Sequence, residues 1–181
     1  MLRLMVVYGL RESVQDLIVK WLMEESFTTR KLEAPPGAGI KWGINVTTPG
    51  NPGVNFTVAN PVDKPDRYIL ALAIVVSPEH ARELEKMKPA ERLRVMNSIL
   101  SKALTVCIDC KIMVQPNIIT PQTITVNMEF FEDELRGYGK PFFLRLVWRF
   151  LNTYLAIVSG FNEWMPVPPP STDRLSPQTF I

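Results

Sequence analysis

The chain has 181 residues, of which 46% are hydrophobic and 21% charged, and its formal net charge is +2. That length fits one domain with short appendages, and the apolar content is ample for a single core. Lys and Arg are interleaved with Asp and Glu, so the basic excess or dense patch that marks a nucleic-acid binder is missing.

Met1 to Gly9 is short and apolar apart from Arg3, and reads either as an edge strand or as a helical lead-in. It is too short and polar-ended for a secretory signal with a cleavage site. With no export signal and two cysteines, the expected compartment is a reducing cytoplasm. The sequons Asn45-Val46-Thr47 and Asn55-Phe56-Thr57 then read as chance matches inside strands.

Ser13, with Asp16 three residues on, has the form of a helix N-cap. Val14, Leu17, Ile18, Trp21 and Leu22 follow at helical spacing, and the pattern fades near Ser26. Ala34 to Gly39 is a loop by composition. Ile40, Trp42, Ile44 and Val46 alternate with polar residues, as do Val54, Phe56 and Val58. The turn cluster Pro49 to Gly53 between them predicts a hairpin. Ile69 to Val76 is continuously apolar, which predicts a central strand covered on both faces.

Ser77-Pro78-Glu79 opens a helical segment, and Lys88-Pro89 interrupts it. A second helix from Pro89 should bury Leu93, Met96, Ile99, Leu100, Ala103 and Leu104, leaving Arg92, Arg94, Asn97, Ser98, Ser101 and Lys102 in solvent. Val106 to Val114 alternates and predicts a strand, paired through the Pro116 to Pro121 turn with Thr123 to Phe130. One wet face makes this hairpin antiparallel. Glu132 to Gly139 reads as an acidic connector, and Pro141 opens a last helix. Arg145 and Arg149 in its first half argue against a membrane span. A single domain over 1–165 with a proline-rich tail over 166–181 follows.

The predicted class is α+β: a five-stranded, largely antiparallel sheet with helices packed on it, in the order α-βββ-α-ββ-α. That order, with Lys20-Trp21-Leu22 to Glu25, Ile74 to His80, Phe130 to Asp133 and Lys140 to Asn152, resembles a family of uncharacterised archaeal proteins. Its members look like type III secretion chaperones in fold. The resemblance covers roughly Glu12 to Trp164 and brings no catalytic residues. It implies a homodimer that binds extended segments of a partner, by analogy of fold alone.

Candidate chemistry is thin. Cys107-Ile108-Asp109-Cys110 has the C-x-x-C spacing of redox and zinc sites. On a strand, however, residues three apart point to opposite faces about 10 Å apart, which predicts neither a shared metal nor a disulfide. His80, the single histidine, reads as part of a helix cap or as a polar surface residue rather than as a general base. Gly37-Ala38-Gly39 and Gly137 to Lys140 lack the spacing of phosphate-binding loops and read as turns. Glu129, Glu132, Asp133 and Glu134 read as charge ahead of a helix N-terminus, or as partners of Arg145 and Arg149, before they read as cation ligands. No catalytic, cofactor or metal residue is assigned.

Phe142, Phe143, Leu146, Val147, Phe150, Leu151, Tyr154, Ile157 and Val158 surround much of the last helix. A helix packed on one core needs an apolar stripe only somewhat over 100° wide. The excess predicts a cover: a second copy of the chain, or the proline-rich tail. Trp164, Phe150 and Tyr154 are the candidate partner-binding residues, with Trp42 expected in the core. The expected function is a non-enzymatic, chaperone-like or adaptor module that binds another protein as a homodimer. A small enzyme with an unrecognised site, or a nucleic-acid-associated protein, are the alternatives.

Overall fold

The computed structural model describes residues 12–166. The expectations for Met1 to Gly9, and for the tail from Val167 on, lie outside those residues.

The first helix, α1 (Val14–Glu24), is capped as its sequence requires: the Ser13 hydroxyl oxygen accepts from the Asp16 N–H at 3.1 Å. Its buried face is Val14, Ile18, Trp21 and Leu22. Ser26, at φ 65°, turns the chain into β1 (Thr28–Lys31). Then follow β2 (Ile40–Thr47), β3 (Asn55–Pro61), β4 (Arg67–Val75), α2 (Pro78–Lys86), α3 (Pro89–Val106), β5 (Lys111–Gln115), β6 (Thr123–Phe131) and α4 (Glu132–Trp164).

The class is α+β, but the sheet has six strands rather than five, in the order β1-β2-β3-β4-β6-β5, and every neighbouring pair is antiparallel. The added strand is β1. Thr28-Thr29-Arg30-Lys31 carries no apolar alternation, so its strand character comes from pairing with β2 rather than from burial. Two separate helices, α2 and α3, stand between β4 and β5. Arg92 joins them, donating to the Glu85 and Met87 carbonyls at the end of α2.

The apolar run of β4 is not covered on both faces. Tyr68, Leu70, Leu72 and Ile74 are buried, whereas Ala73 and Val75 are exposed. The same alternation holds in β6, where Ile124, Val126, Met128 and Phe130 point inward. Among the described residues helices therefore lie on one face only, in a two-layer arrangement.

The helix that fills the inner face is α4. Phe143, Val147, Phe150, Ile157 and Phe161 are buried along it. Phe150 meets Phe56 of β3, and Phe143 meets Phe130 of β6. Trp21 packs on Phe143 and Phe27 on Trp148, which sets α1 and the start of β1 along one flank. Along the other flank runs α3, where Ile99 lies so close to Gly160 that an added Cβ would come within 3.0 Å of its side chain. The acidic segment Glu132 to Tyr138 is the first part of α4 rather than a connector. Gly139, at φ 66° and ψ −158°, breaks the helix there, and Pro141 follows as the expected opening of the longer part. The Phe131 N–H donates to Glu134, closing the helix start.

The buried face of α3 is Val95, Met96, Ile99 and Ala103. Leu93 and Leu104 are exposed and Leu100 is half-buried, so the broad stripe read from the sequence was two neighbouring stripes joined. Ile99→Ala should cost about 2–5 kcal/mol, the range for truncating a buried aliphatic side chain. Arg94→Ala, on the exposed side, should stay within about 0.5 kcal/mol. Urea unfolding of both variants checks this, and equal losses would contradict the helix phase.

Candidate functional site

One-sided burial leaves the outer face of the sheet without a helix over it among the described residues. The strand registers align Arg30, Asn45, Thr57, Ala71, Asn127 and Lys111 in one row across all six strands. In the next row Ala73, Thr125 and Met113 stand side by side. Short neutral side chains dominate, and they bond one another: Thr57 Oγ1 donates to Asn45 Oδ1 at 3.1 Å, and Thr47 Oγ1 to Asn55 Oδ1 at 2.7 Å. The two sequons are thus cross-strand neighbours, each asparagine accepting from the other's threonine. Leu32 covers the outer side of Gly43, where a Cβ would meet it at 2.7 Å.

The charges on β4, β5 and β6 are held in place on this face. Glu129 accepts from Arg67 and from Lys111, each at 2.6 Å, and the Arg67 guanidinium stands 5.1 Å above the Phe131 ring. The hydrogen bond from Lys111, more than any other cause, holds the Glu129 carboxyl below its ordinary value. Glu129 is therefore separated from the other acidic residues. Glu132 pairs with Arg136, and Asp133 and Glu134 sit at the α4 N-terminus beside an open depression that also includes Asp66 and Phe131. Arg149 pairs not with this cluster but with Asp109, at 2.9 Å. Among the described residues no group of three or more His, Cys, Asp or Glu is placed to hold a metal ion.

The cysteines contradict the strand reading. Helix α3 continues to Val106, and β5 begins only at Lys111. Residues 107–110 form a turn, with the Cys110 N–H donating to the Cys107 carbonyl. In the turn the two Cα atoms are 5.3 Å apart, and the side chains form a disulfide. The alternation that suggested a strand was the last turn of a helix followed by a reversal. The pairing also removes free thiols as an indicator of compartment.

His80 is a helix-cap residue, as expected, but it is buried rather than at the surface. Its N–H donates to Ser77 Oγ, its Nδ1 lies 3.0 Å from that oxygen, and its ring packs on Phe161. The Ser77 hydroxyl is committed to the cap and buried, so the pair does not present a nucleophile to a substrate.

The three candidate partner-binding residues separate. Trp164 is 44% exposed at the end of α4. Phe150 and Tyr154 are buried, at 1% and 9%. Both point into the layer between α4 and the sheet, where neither can touch a partner. The same packing accounts for the apolar excess of α4, since the sheet lies beneath it and α1 and α3 lie along its flanks. By length and composition α4 could also cross a membrane, but here it is the core helix. Trp42 is half-buried against Tyr68, in line with its expected place in the core.

Sequence reading gave the last hairpin one wet face but did not extend that face across β4, and it missed the edge at β5, beyond which no strand lies among the described residues. The alternation in β6 and β3 was the available signal for the first, but the continuous run in β4 obscured it. For the second there was none, because strand order is not written in local pattern.

Residues 14–161 match the model of a family described as an uncharacterized conserved protein, DUF2299. The chain belongs to that family. No curated protein matches it. A solved structure, described as that of an uncharacterized protein from Methanothermobacter thermautotrophicus, is similar with a TM-score of 0.71 and 21% identity, over 83% of this chain and 98% of that one. At that identity the likeness is one of fold, and neither match carries a link to type III secretion chaperones.

Two outcomes follow from the site. Alkylation under denaturing, non-reducing conditions should leave both cysteines unlabelled, and labelling of two thiols per chain would contradict the disulfide. Cys110→Ser should cost about 2 kcal/mol on the chain-entropy model for so short a loop. Glu129, with its folded-state pKa depressed, contributes stability that is present above its unfolded-state pKa and is lost as pH falls through the folded value. Carboxylate NMR titration should show that pKa rising towards 4.5 in Lys111→Ala.

Proposed function

We propose that the protein is a non-enzymatic binding module of the chaperone-like or adaptor kind, which engages an extended segment of another protein and acts as a homodimer. The observation that carries this reading is the outer face of the sheet, which no helix covers among the described residues. It is a flat surface of threonine, asparagine and alanine, with apolar points at Val75 and Met113, which are 42% and 48% exposed. A surface of this kind offers shallow apolar contact and side-chain hydrogen bonds to an extended chain, whereas a catalytic site concentrates polar groups in a concave pocket. Its charges are few, Arg67 and Lys111 both being tied to Glu129 and Arg30 lying on the edge strand, and the outward positions of β4 and β6 carry Phe131 at the margin as their one aromatic. That composition suits a neutral polypeptide better than a nucleic-acid strand, which calls for cationic grooves and stacking platforms.

The test is selection from a tiled library of unstructured peptides. Wild-type protein should enrich a recurrent set of extended segments. A variant carrying Ala73→Glu and Thr125→Glu, with an unchanged unfolding midpoint, should lose them at least tenfold. Enrichment that survives both substitutions, or none above background with the wild type, would overturn the reading. Sedimentation equilibrium should give twice the 20.6 kDa chain mass.

A further inference from the structure

The sheet ends on two strands of different character. The edge strand β1 is four residues long and carries exposed Arg30 and Lys31. Exposed cations on a short edge are a common protection against pairing with another chain. At the opposite edge, β5 has a single charge, Lys111, which is tied back to Glu129 on β6. Its register with β6 is unbroken over five residues and contains no proline. Among the described residues no strand lies on its outer side.

The core is also unfinished at this edge. On the inner face, Ile124 and Val126 of β6 are fully buried, but their partners Val114 and Ile112 on β5 are only half-buried. Above them, α3 shows a second apolar stripe. Lys102 reaches across to Glu163 of α4 and so marks the side of α3 that faces α4. At 3.6 residues per turn, Leu93, Leu100 and Leu104 stand about 160–180° round the helix from Lys102. They therefore face away from α4. Since α1 and the start of β1 occupy the other flank of α4, this is the side on which β5 is the edge. Leu93 and Leu104 are exposed there, at 39% and 44%.

We propose that β5 and the leucine flank of α3 form one self-complementary interface, occupied by a second copy of this chain. The inference rests on the homodimer reading above and gives it a location. A two-fold axis through Met113 and perpendicular to the sheet pairs all five residues of β5 antiparallel with the same five of the other copy. Ile112 then faces Val114 of the second copy on the inner side. Lys111 faces Gln115, so no like charges meet. The axis keeps both helix layers on the same face, and the leucine flank of each α3 meets its counterpart. Five residues of strand pairing are too little for a stable dimer, which needs upwards of about 1,000 Å² of buried surface. The leucines supply the apolar remainder. An isologous contact of this kind closes on itself, giving one twelve-stranded sheet instead of an open chain of molecules.

The experiment uses the full chain, with sedimentation equilibrium for mass and hydrogen exchange for the β5 amides. Wild-type protein should be a dimer, and exchange at residues 111–115 should slow as concentration passes through the dissociation constant. Met113→Lys places two cations together at the axis, and Leu104→Glu places a charge on the helix flank. Each should weaken dimerisation at least tenfold, with far-UV circular dichroism unchanged and an unfolding midpoint no lower than that of the wild type diluted to its monomer. Leu155→Glu, on the exposed side of α4, should leave the dimer intact. A dimer that Met113→Lys and Leu104→Glu leave at wild-type affinity, or that Leu155→Glu dissociates, would overturn this interface and leave the homodimer standing. A wild-type monomer at all concentrations would overturn both. If that monomer also showed slow exchange at β5, the edge would be covered within one chain.

Discussion

The structure depends on the burial of one sheet face beneath one helix. α4 is the element that every other part of the inner layer touches, with β3 and β6 below it, α1 on one flank and α3 on the other. Phe143, Phe150 and Phe161 fill the layer, and aromatic contacts tie it to Phe56, Phe130 and His80. Gly160 allows α3 to come close enough for Ile99 to pack directly on the helix backbone. An apolar circumference that would be a liability on a peripheral helix is the means by which this one organises its neighbours.

Because helices cover only one face, the sheet's chemistry divides in two. Inward residues are large and apolar. Most outward ones are small and neutral, and some satisfy one another across strands, as Asn45 and Thr57 do. Two-layer folds keep this second face in solvent only if its side chains are content there, and threonine and asparagine are. The same geometry leaves α3 and β5 at the margin, where apolar groups are incompletely covered. The surfaces proposed for function are thus what remains once the core is complete, while the buried histidine, the capped helix starts and the disulfide belong to the scaffold.

The disulfide illustrates how a local rule fails when an element boundary is misplaced. Alternation from Val106 to Val114 holds as a pattern of residue types, and a strand would have set the cysteines about 10 Å apart. In the fold, the first part of that pattern ends α3 and reverses, bringing the Cα atoms to 5.3 Å. Chain reversal needs no glycine or proline here, so nothing in composition marked it. The same blindness hid β1, whose four polar residues become a strand through pairing with β2 alone.

Local signals were enough for most elements. The Ser13 and Ser77 caps, the helical spacing of Val14 to Leu22, the hairpin of β2 and β3 and the turn before β6 are set by short-range sterics and hydrogen bonding, and each stands where the pattern places it. The α+β class follows from them. Tertiary structure alone decided which strand lies at the edge, which face of β4 is covered and where Phe150 and Tyr154 point. A continuous apolar run satisfies a strand buried on one side as well as on two. An aromatic on a broad apolar helix can face a core or a partner, and only the arrangement of α1, α3 and the sheet around α4 distinguishes them. Leu93, Leu100 and Leu104 carry the same ambiguity, because helical period assigns residues to a stripe but not a stripe to a neighbour.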